Sequence, residues 1–446
     1  MTLIASSKRL ILGAGPTGQA VARHFQQLGI QFEVADTRQS DDLKTGFERE
    51  FPGVETYFGP LKTDYLDRFE EIVVSPGIAP TTEGLNKTTS HLISDIQVFR
   101  RAWPENQPLI AITGSNAKST VTSLVAEILK ADGRTVLVGG NLGPQALDLL
   151  SDRTADSIAV LELSSFQLER TRSLKATVAT CLNMSPDHLD WHGSMIAYHQ
   201  AKHRIFEGVG AIVVNAEDPL SQPLVPDQTP TVKFALQHPD FHRFGLMVVD
   251  GEDWISLGAD PWMPVSDLPM RGRHMIENAM AAFGICHLVG VDKAVAVEAA
   301  RMFTGLPHRM VELSPIRGVR FINDSKGTNV GASETAIGSV EAQGHLYLLV
   351  GGESKDADLS QWAKTAKINC KHVFAFGRDR ARFVDALSEN VTALDTLDQA
   401  FERAVQHASE GDVILLSPAC ASFDQFKNYQ ERGAHFEALV EAYREI

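Results

Sequence analysis

Cysteine is scarce. Four occur in 446 residues, at positions 181, 286, 370 and 420, and none forms a C-x-x-C pair. That spacing excludes a disulfide framework and a dithiol redox motif, and predicts reduced, buried thiols. No apolar run approaches the ~20 residues needed to span a bilayer. The first residues reach a strand-like segment by Leu10 without a signal-peptide pattern, so a cytoplasmic chain with no transmembrane segment is expected. Positive charge is in deficit: 41 Lys and Arg against 56 Asp and Glu give a formal charge of −15. This excludes a nucleic-acid surface, which needs clustered cations. It does not exclude anionic small molecules, for which a few local basic groups suffice. Low-complexity segments and short repeats are also missing. What remains is 43% hydrophobic and 22% charged, an ordinary globular composition. The length predicts about three domains of roughly 150 residues each.

The stretch Ile112-Thr113-Gly114-Ser115-Asn116-Ala117-Lys118-Ser119-Thr120 organises the chain. It follows an apolar strand end, Pro108 to Ala111, and precedes a helix read over Val121 to Lys130. Strand, small-residue loop, Lys-Ser/Thr and helix make a phosphate-binding layout. Backbone N–H groups and the positive helix end hold a polyphosphate, with Lys118 adding a point charge. A hydroxyl from Ser119 or Thr120 suits Mg²⁺. Ala117 breaks the pattern, standing where glycine usually precedes the lysine.

Earlier, a strand at 8–12 runs into Gly13-Ala14-Gly15-Pro16-Thr17-Gly18, then a helix and a second strand ending in Asp36-Thr37-Arg38. This is a G-x-G-x-x-G fingerprint with an acid 18 residues beyond its last glycine. A nucleotide diphosphate other than NAD is the preferred ligand, since Arg38 beside Asp36 favours phosphate. NAD and a purely structural turn remain open. The turn Ser75-Pro76-Gly77-Ile78, at a strand's carboxyl end, is equally a ligand contact or a plain turn. A boundary is expected near 95–106.

Beyond the phosphate loop, Gly139 to Gly143 reads as a Gly-rich turn carrying Asn141, and strand Ile158 to Leu161 ends in Glu162. A carboxylate at a buried strand tip is well placed for Mg²⁺. His188 and His192 stand at i, i+4 and admit a zinc reading. A single histidine joining Glu162 and a phosphate-bound Mg²⁺ fits better, and a capping or core histidine is the plain alternative. Lys202 lies among His199, His203 and Arg204, which by composition reads as a solvated basic face. Residues 222–270 read as short strands and turns without chemistry. A second boundary is placed at Thr304 to Arg309. Strands at 319–323, 346–350, 372–376 and 413–416 follow, three of them ending in polar loops that imply a ligand surface on one sheet edge. Cys420, with no base beside it, reads as a buried thiol rather than a nucleophile. The residues therefore point to an ATP-using α/β protein with a second nucleotide-like site, open to a two-substrate activating enzyme, a kinase or a motor ATPase.

Seven signatures make the chain resemble the Mur ligase family, most closely its D-glutamate-adding branch. They are Asp36-Thr37-Arg38, Ser75 to Ile78, Ala111 to Asn116, Leu161 to Glu169, Thr304 to Arg309, Asn323 to Lys326, and Ser417 to Asn428. The resemblance spans essentially the whole chain. It implies an N-terminal Rossmann-like UDP-binding domain (1–97), a central P-loop ATPase-like domain (98–305) and a C-terminal Rossmann-like amino-acid domain (306–446). It implies a monomeric ligase that adds D-glutamate to UDP-N-acetylmuramoyl-L-alanine, with ATP and two Mg²⁺, in peptidoglycan synthesis. Carried over by position, Pro16, Thr17, Asp36, Thr37, Arg38 and Gly77 line the UDP site. Asn141 and His188 touch the nucleotide-sugar near its reacting end. Gly114, Ser115, Asn116, Ala117, Lys118, Ser119 and Thr120 hold the ATP phosphates, and Asn278, Arg309 and Asp324 contact the rest of ATP. Ser119, Glu162, His188 and a carbamylated Lys202 serve the metal, and Lys118, Glu162, His188 and Lys202 form the catalytic set. Thr328, Lys355, Ser422, Phe423 and Tyr429 form the D-glutamate pocket. Departures are Ala117, Met275 after His274, and Ser354 before Lys355. The rivals are a sibling ligase, a folylpolyglutamate synthase, or an inactive nucleotide-binding relative.

Overall fold

The structure, a computed structural model, describes residues 8–269, 272–354 and 358–444. Among these the chain is a mixed α/β protein with three sheets. The first sheet contains β1 (Arg9–Leu12), β2 (Phe32–Asp36), β3 (Thr56–Phe58), β4 (Glu71–Val74) and β5 (His91–Ile93) in the order β3-β2-β1-β4-β5. All its pairings are parallel. Such strands must be covered on both faces, which is why β1 and β4 read as apolar runs rather than alternating patterns. The order reverses between β1 and β4, and the glycine loop and the Ser75–Ile78 turn lie at the carboxyl ends of those two strands. That is where open α/β sheets place ligands.

The second sheet is built on β6 (Leu109–Thr113), β7 (Val136–Gly140), β8 (Ile158–Glu162), β9 (Val178–Cys181), β10 (Ala211–Asn215) and β11 (Thr231–Phe234). It continues through β12 (Arg243–Val249), β13 (Glu252–Leu257) and β14 (Asp260–Pro264), in the order β14-β13-β12-β11-β10-β9-β6-β8-β7. The stretch read only as short strands and turns thus extends this sheet by an antiparallel meander. The phosphate-loop strand β6 is central, between β9 and β8, and its residues are buried throughout.

The third sheet holds β15 (Val311–Ile316), β16 (Val319–Asn323), β17 (Leu346–Gly351), β18 (Cys370–Phe376), β19 (Val391–Ala393) and β20 (Val413–Leu416). Its order is β15-β16-β20-β17-β18-β19, with β15 antiparallel and the rest parallel. The carboxyl ends of β16, β17 and β20 are therefore neighbours, so the three polar loops share one edge.

The chain forms two compact units. One takes in residues through Met184, His188–Asp267 and Asn278–Met302, and holds the first two sheets; the other takes in Ser185–Asp187, Leu268–Glu277 and the chain from Phe303, and holds the third. Within the first unit one apolar core runs from Ile11, Val34 and Val73 through Ile96, Phe99 and Trp103 to Ala111 and Leu161. The helix Asp95–Ala102 runs across the 97/98 boundary of the sequence reading. Ile96, Phe99 and Trp103 are at most 2% exposed, and each such burial is worth about 1.5–3 kcal/mol. Thr17 Oγ1 to Gln145 Oε1 at 2.9 Å and the forked Arg23–Asp148 pair tie the first sheet's layer to the second's.

Candidate active site

The glycine loop of the first sheet is held by its neighbours. A Cβ on Gly18 would stand 1.8 Å from the Gly13 carbonyl, so only glycine lets the helix Pro16–Gln27 start against β1. Pro16 occupies the first helical turn, where its missing N–H costs nothing. Asp36 is 1% exposed and accepts from Ala14 N at 2.8 Å and from Arg38 Nη2 at 2.7 Å. Burial by itself would raise this carboxyl, but hydrogen bonds from the Arg38 side chain and from the Ala14 and Arg38 N–H groups outweigh it and hold the pKa below the ordinary value. The charge of Arg38 is thus committed to Asp36, while its side chain stays largely exposed. Thr37 is exposed beside it, and no atom would meet a Cβ on Gly77 within 4 Å, so both can face a ligand. Arg170 Nη1 donates to Ile78 O at 3.1 Å, fastening the Ser75–Ile78 turn to the second sheet's layer.

The phosphate loop leaves β6 at Gly114, where a φ of +154° would strain any L side chain and a Cβ would press on Leu182 and Asn116 O at 3.1–3.3 Å. Asn183 shapes the loop: its carbonyl accepts from Ser115 N at 2.9 Å and its Oδ1 from Asn116 N at 2.8 Å. Ser115 Oγ meets Tyr198 OH at 2.9 Å. Ala117 is left-handed, at φ +66° and ψ −7°, and acts as the N-cap. The helix therefore runs Lys118–Ala131, beginning three residues earlier than the apolar pattern indicated. Lys118 sits in its first turn with Nζ donating to Gly114 O at 2.8 Å and Ser115 O at 2.9 Å. Ser119 and Thr120 are 5% and 0% exposed, and Thr120 Oγ1 has no hydrogen-bond partner among the described residues.

Glu162 closes β8, opposite Ile112 of the loop's own strand, and is 1% exposed. Asn141 Nδ2 donates to its Oε1 at 2.6 Å; Oε2 is buried without a partner among the described residues. The turn carrying Asn141 is pressed onto it, since Gly139 and Gly140 finish β7 and a Cβ on Gly140 would lie 2.4 Å from Glu162 O. A buried carboxylate oxygen with nothing to bind is costly unless a cation meets it. The residues therefore fit Mg²⁺, which takes few protein carboxylates and shares its remaining positions with phosphate and water.

Lys202 is not on a solvated face. It is 2% exposed, and its Nζ donates to Gly114 O at 2.7 Å and Thr113 Oγ1 at 3.2 Å. The polar neighbours in sequence misled because its helix, Met195–His203, turns Tyr198, Ala201 and Lys202 inward. His188 is left-handed, at φ +54°, and its ring packs edge-on to Phe166 at 4.6 Å. His192 Nε2 meets Ser165 Oγ at 2.9 Å, and burial, with the neighbouring His188 and Lys202 side chains, brings its pKa to about 4. Among the described residues no three His, Cys, Asp or Glu side chains group around a metal position.

In the second unit, Asp324 follows β16 and accepts from Ser417 Oγ at 2.8 Å. Burial raises its carboxyl to about 6, opposed by Ser417 and by the Arg309 and Arg432 charges. Arg309 lies between two left-handed residues, His308 and Met310, and its Nε is buried without a partner among the described residues. His274, beside Arg309, is brought to about 4 by burial. Thr328 N donates to Lys326 O, and Lys326 Nζ lies 4.1 Å above the Tyr429 ring. Ser422 is 3% exposed, whereas Phe423 is 68% exposed and free to cover a ligand. Lys355 lies outside the described residues. Asn278 belongs to the first unit and is 7% exposed. Cys420 is a free, buried thiol whose pKa burial pushes up to about 12, which removes it as a nucleophile.

The chain matches the Mur ligase MurD-like N-terminal domain over residues 7–96, the Mur ligase middle domain over 112–286, and the Mur ligase glutamate ligase domain over 308–420. It is 45% identical to the UDP-N-acetylmuramoylalanine–D-glutamate ligase of Pseudomonas syringae pv. tomato, with 99% of each chain covered. The chain belongs to the Mur ligase family. The Pseudomonas aeruginosa ligase of the same name is 42% identical, again over 99% of both chains. Among solved structures, the UDP-N-acetylmuramate-alanine ligase of Thermotoga maritima shares the fold at a TM-score of 0.61 and 18% identity, covering 98% of this chain and 99% of that one. FolC of E. coli, solved with DHPP and ADP, shares it at 0.59 and 18% identity over 78% and 92%. Mur ligases are ATP-dependent and use Mg²⁺, and this chain is such a ligase.

The Mur ligase fold gathers the Gly114–Thr120 loop and helix start, Glu162 and Asn141 at one sheet's strand ends, with Lys202 reaching Gly114 O and Thr113 Oγ1 from its helix. It brings the loops carrying Asp324, Thr328 and Ser422 onto the adjoining ends of another, with Tyr429 opening the helix that follows. The residues that shape these loops from beneath were not singled out in the sequence: Asn183, Tyr198, Ser417 and Arg432. Ser417 alone left a signal, as the polar residue directly after β20.

Proposed function

We propose that this chain joins D-glutamate to UDP-N-acetylmuramoyl-L-alanine in peptidoglycan synthesis, as a cytoplasmic monomer. The full-length identity to ligases of that name supports the substrates. The observation that carries the ATP half is Glu162, with one buried carboxylate oxygen unpartnered beside the phosphate-loop strand.

A carboxylate is a poor acyl donor, because it is anionic and its leaving group would be oxide. Transfer of the ATP γ-phosphoryl group to the alanyl carboxylate gives an acyl phosphate; attack by the D-glutamate amine then expels phosphate and forms the amide. Positioning and charge neutralisation supply most of such a transfer. On this reading the N–H groups of residues 114–120 and Lys118 hold the phosphates. Lys118 exchanges its loop carbonyls for phosphate oxygens. Bound Mg²⁺, two ions in this proposal, neutralises phosphate charge; Ser119, Glu162, His188 and Lys202 would hold it, the lysine as a carbamate. A carbamate turns the buried ammonium into an oxygen donor suited to the metal. Pro16, Thr17, Asp36, Thr37, Arg38 and Gly77 take the UDP group, and Asn141 and His188 the reacting end. Asn278, Arg309 and Asp324 contact ATP. Thr328, Lys355, Ser422, Phe423 and Tyr429 receive D-glutamate, with Lys355 supplying the opposite charge for a carboxylate. The three regions 1–97, 98–305 and 306–446 divide these tasks.

The test is phosphate release from ATP with UDP-N-acetylmuramoyl-L-alanine and, in turn, D-glutamate, L-lysine, D-alanine and glycine. Release with D-glutamate alone is expected. Release with another of the four makes the chain a sibling ligase, and release with none makes it an inactive relative.

A further inference from the structure

Arg170 ends the short helix Ser165–Glu169, which opens three residues beyond Glu162. It is 8% exposed, and among the described residues it forms no ion pair. The adjacent carboxylate, Glu169, pairs with Arg204 at 3.1 Å instead. The one hydrogen bond of the Arg170 side chain among those residues runs from Nη1 to Ile78 O at 3.1 Å. Its carbonyl accepts from Ser94 N at 3.1 Å, at the N-cap of the helix Asp95–Ala102. One residue thus joins the segment after β8, the helix that crosses the 97/98 boundary, and the turn after β4.

That turn is fixed against the glycine loop. Ser75 N donates to Leu12 O at 2.8 Å and Ile78 N to Ser75 O at 3.0 Å. A Cβ on Gly13 would meet Ser75 Oγ at 2.4 Å and Ile78 Cδ1 at 3.5 Å, so the two loops touch. Among the hydrogen bonds of the described residues, only the one from Arg170 joins residues 75–78 to the second sheet's layer. Gly77, between the held ends, is exposed. Burying a guanidinium without a carboxylate is costly, and burial lowers this one to about 10. The carboxyl end of a helix favours a cation, but an exposed side chain would meet that need without desolvation. What the buried side chain adds is a long donor that reaches a carbonyl on the neighbouring layer.

We propose that Arg170 is a positioning residue for the nucleotide-sugar substrate. By holding Ile78 O it sets the Gly77 turn at a fixed distance from Glu162 and the phosphate loop, so a substrate held at its UDP end presents its carboxylate to ATP. The inference rests on the UDP reading of Gly77. Small misplacements of reacting groups are expensive in rate and affinity, so freeing the turn weakens binding of this substrate. A single carbonyl needs one donor and not a planar fork, so a lysine ammonium can stand in for the guanidinium.

The experiment measures KM for UDP-N-acetylmuramoyl-L-alanine, ATP and D-glutamate, and inhibition by UDP, in the full-length wild type, R170M, R170Q and R170K, each normalised to folded protein by circular dichroism. R170M is expected to raise the KM for the UDP substrate at least fivefold and the UDP inhibition constant in parallel. The KM values for ATP and D-glutamate stay within twofold. R170K restores the UDP-substrate KM to within threefold of wild type. A UDP-substrate KM within twofold of wild type in R170M overturns the proposal, as do equal rises in all three KM values, an unmoved UDP inhibition constant, or an R170K that behaves as R170M. Should R170M fail to fold, R170Q, with a neutral donor on a shorter side chain, takes its place: a rise of at least threefold is expected, and a KM within twofold of wild type overturns the proposal. A wild type that UDP does not inhibit and that turns over without a UDP substrate defeats the UDP reading alone, and the same split is then read on the substrate it does take.

Discussion

Replacing Ala117 by glycine should stabilise the protein without improving its grip on ATP. Ala117 holds φ +66° at the N-cap of the helix Lys118–Ala131. An L-residue with a Cβ loses about 1–2 kcal/mol in that region. Glycine relieves the strain but gives the unfolded chain more freedom, a loss of about 0.4–1 kcal/mol. The difference predicts a net gain of about 0.5–1 kcal/mol for A117G, a rise in Tm of about 1–3 °C in a unit of this size. The strain is present in the ligand-free fold, so it is overcome on folding and not on binding. The KM for ATP should therefore stay within a few-fold of wild type. Thermal and urea unfolding measure the first quantity and phosphate release at varied ATP the second. A variant that melts below wild type would refute the strain argument. A tenfold fall in the ATP KM, about 1.4 kcal/mol, would show that Ala117 distorts the loop where the phosphates lie.

Glu162→Gln should abolish at least 99% of phosphate release while melting no lower than wild type. The amide still accepts from Asn141, and an unpaired buried carboxylate is removed. Asp95 gives a pH signature. Burial raises its carboxyl to about 6, against the hydrogen bonds from Gln167 and the helix start. Between about pH 4 and 6 the folded state binds the extra proton, so wild-type stability falls as pH rises through this window. Asp95→Asn should remove that fall and be the more stable protein at pH 7.5, by on the order of 1–3 kcal/mol, while matching wild type near pH 4; parallel unfolding curves at both pH values would count against the raised carboxyl. If Lys202 works as a carbamate, activity should drop in carbon-dioxide-depleted buffer and return with bicarbonate, and Lys202→Arg should show no such return. Equal activity in both buffers would leave the lysine acting as an ammonium.

Much of the molecule was readable from local pattern. The phosphate loop, the glycine loop and the strands of the third sheet follow from short-range rules: apolar runs of strand length, glycines where the backbone turns sharply, and Lys-Ser opening a helix. Gly18 and Gly114 are glycines because a side chain would strike atoms within a few positions of their own loops or of the next strand. Glu162 was legible as a carboxylate at a strand tip, since polarity directly after an apolar strand is a local signal. Residue roles, by contrast, came from family resemblance and remain proposals.

Lys202, Asn183 and Arg432 were opaque for a common reason. Each is a polar side chain whose partner is a backbone group far away in sequence: Gly114 for Lys202, Asn116 for Asn183, Ser325 for Arg432. Charged neighbours made Lys202 read as surface, because composition records what a helix carries and not which side faces inward. The fold alone brings β6 between β8 and β9, and β20 between β16 and β17. Strand order depends on long-range packing, and no local pattern encodes it. Chemistry-bearing motifs are thus written along the chain, while the buried polar contacts that aim them arise only when distant strands become neighbours.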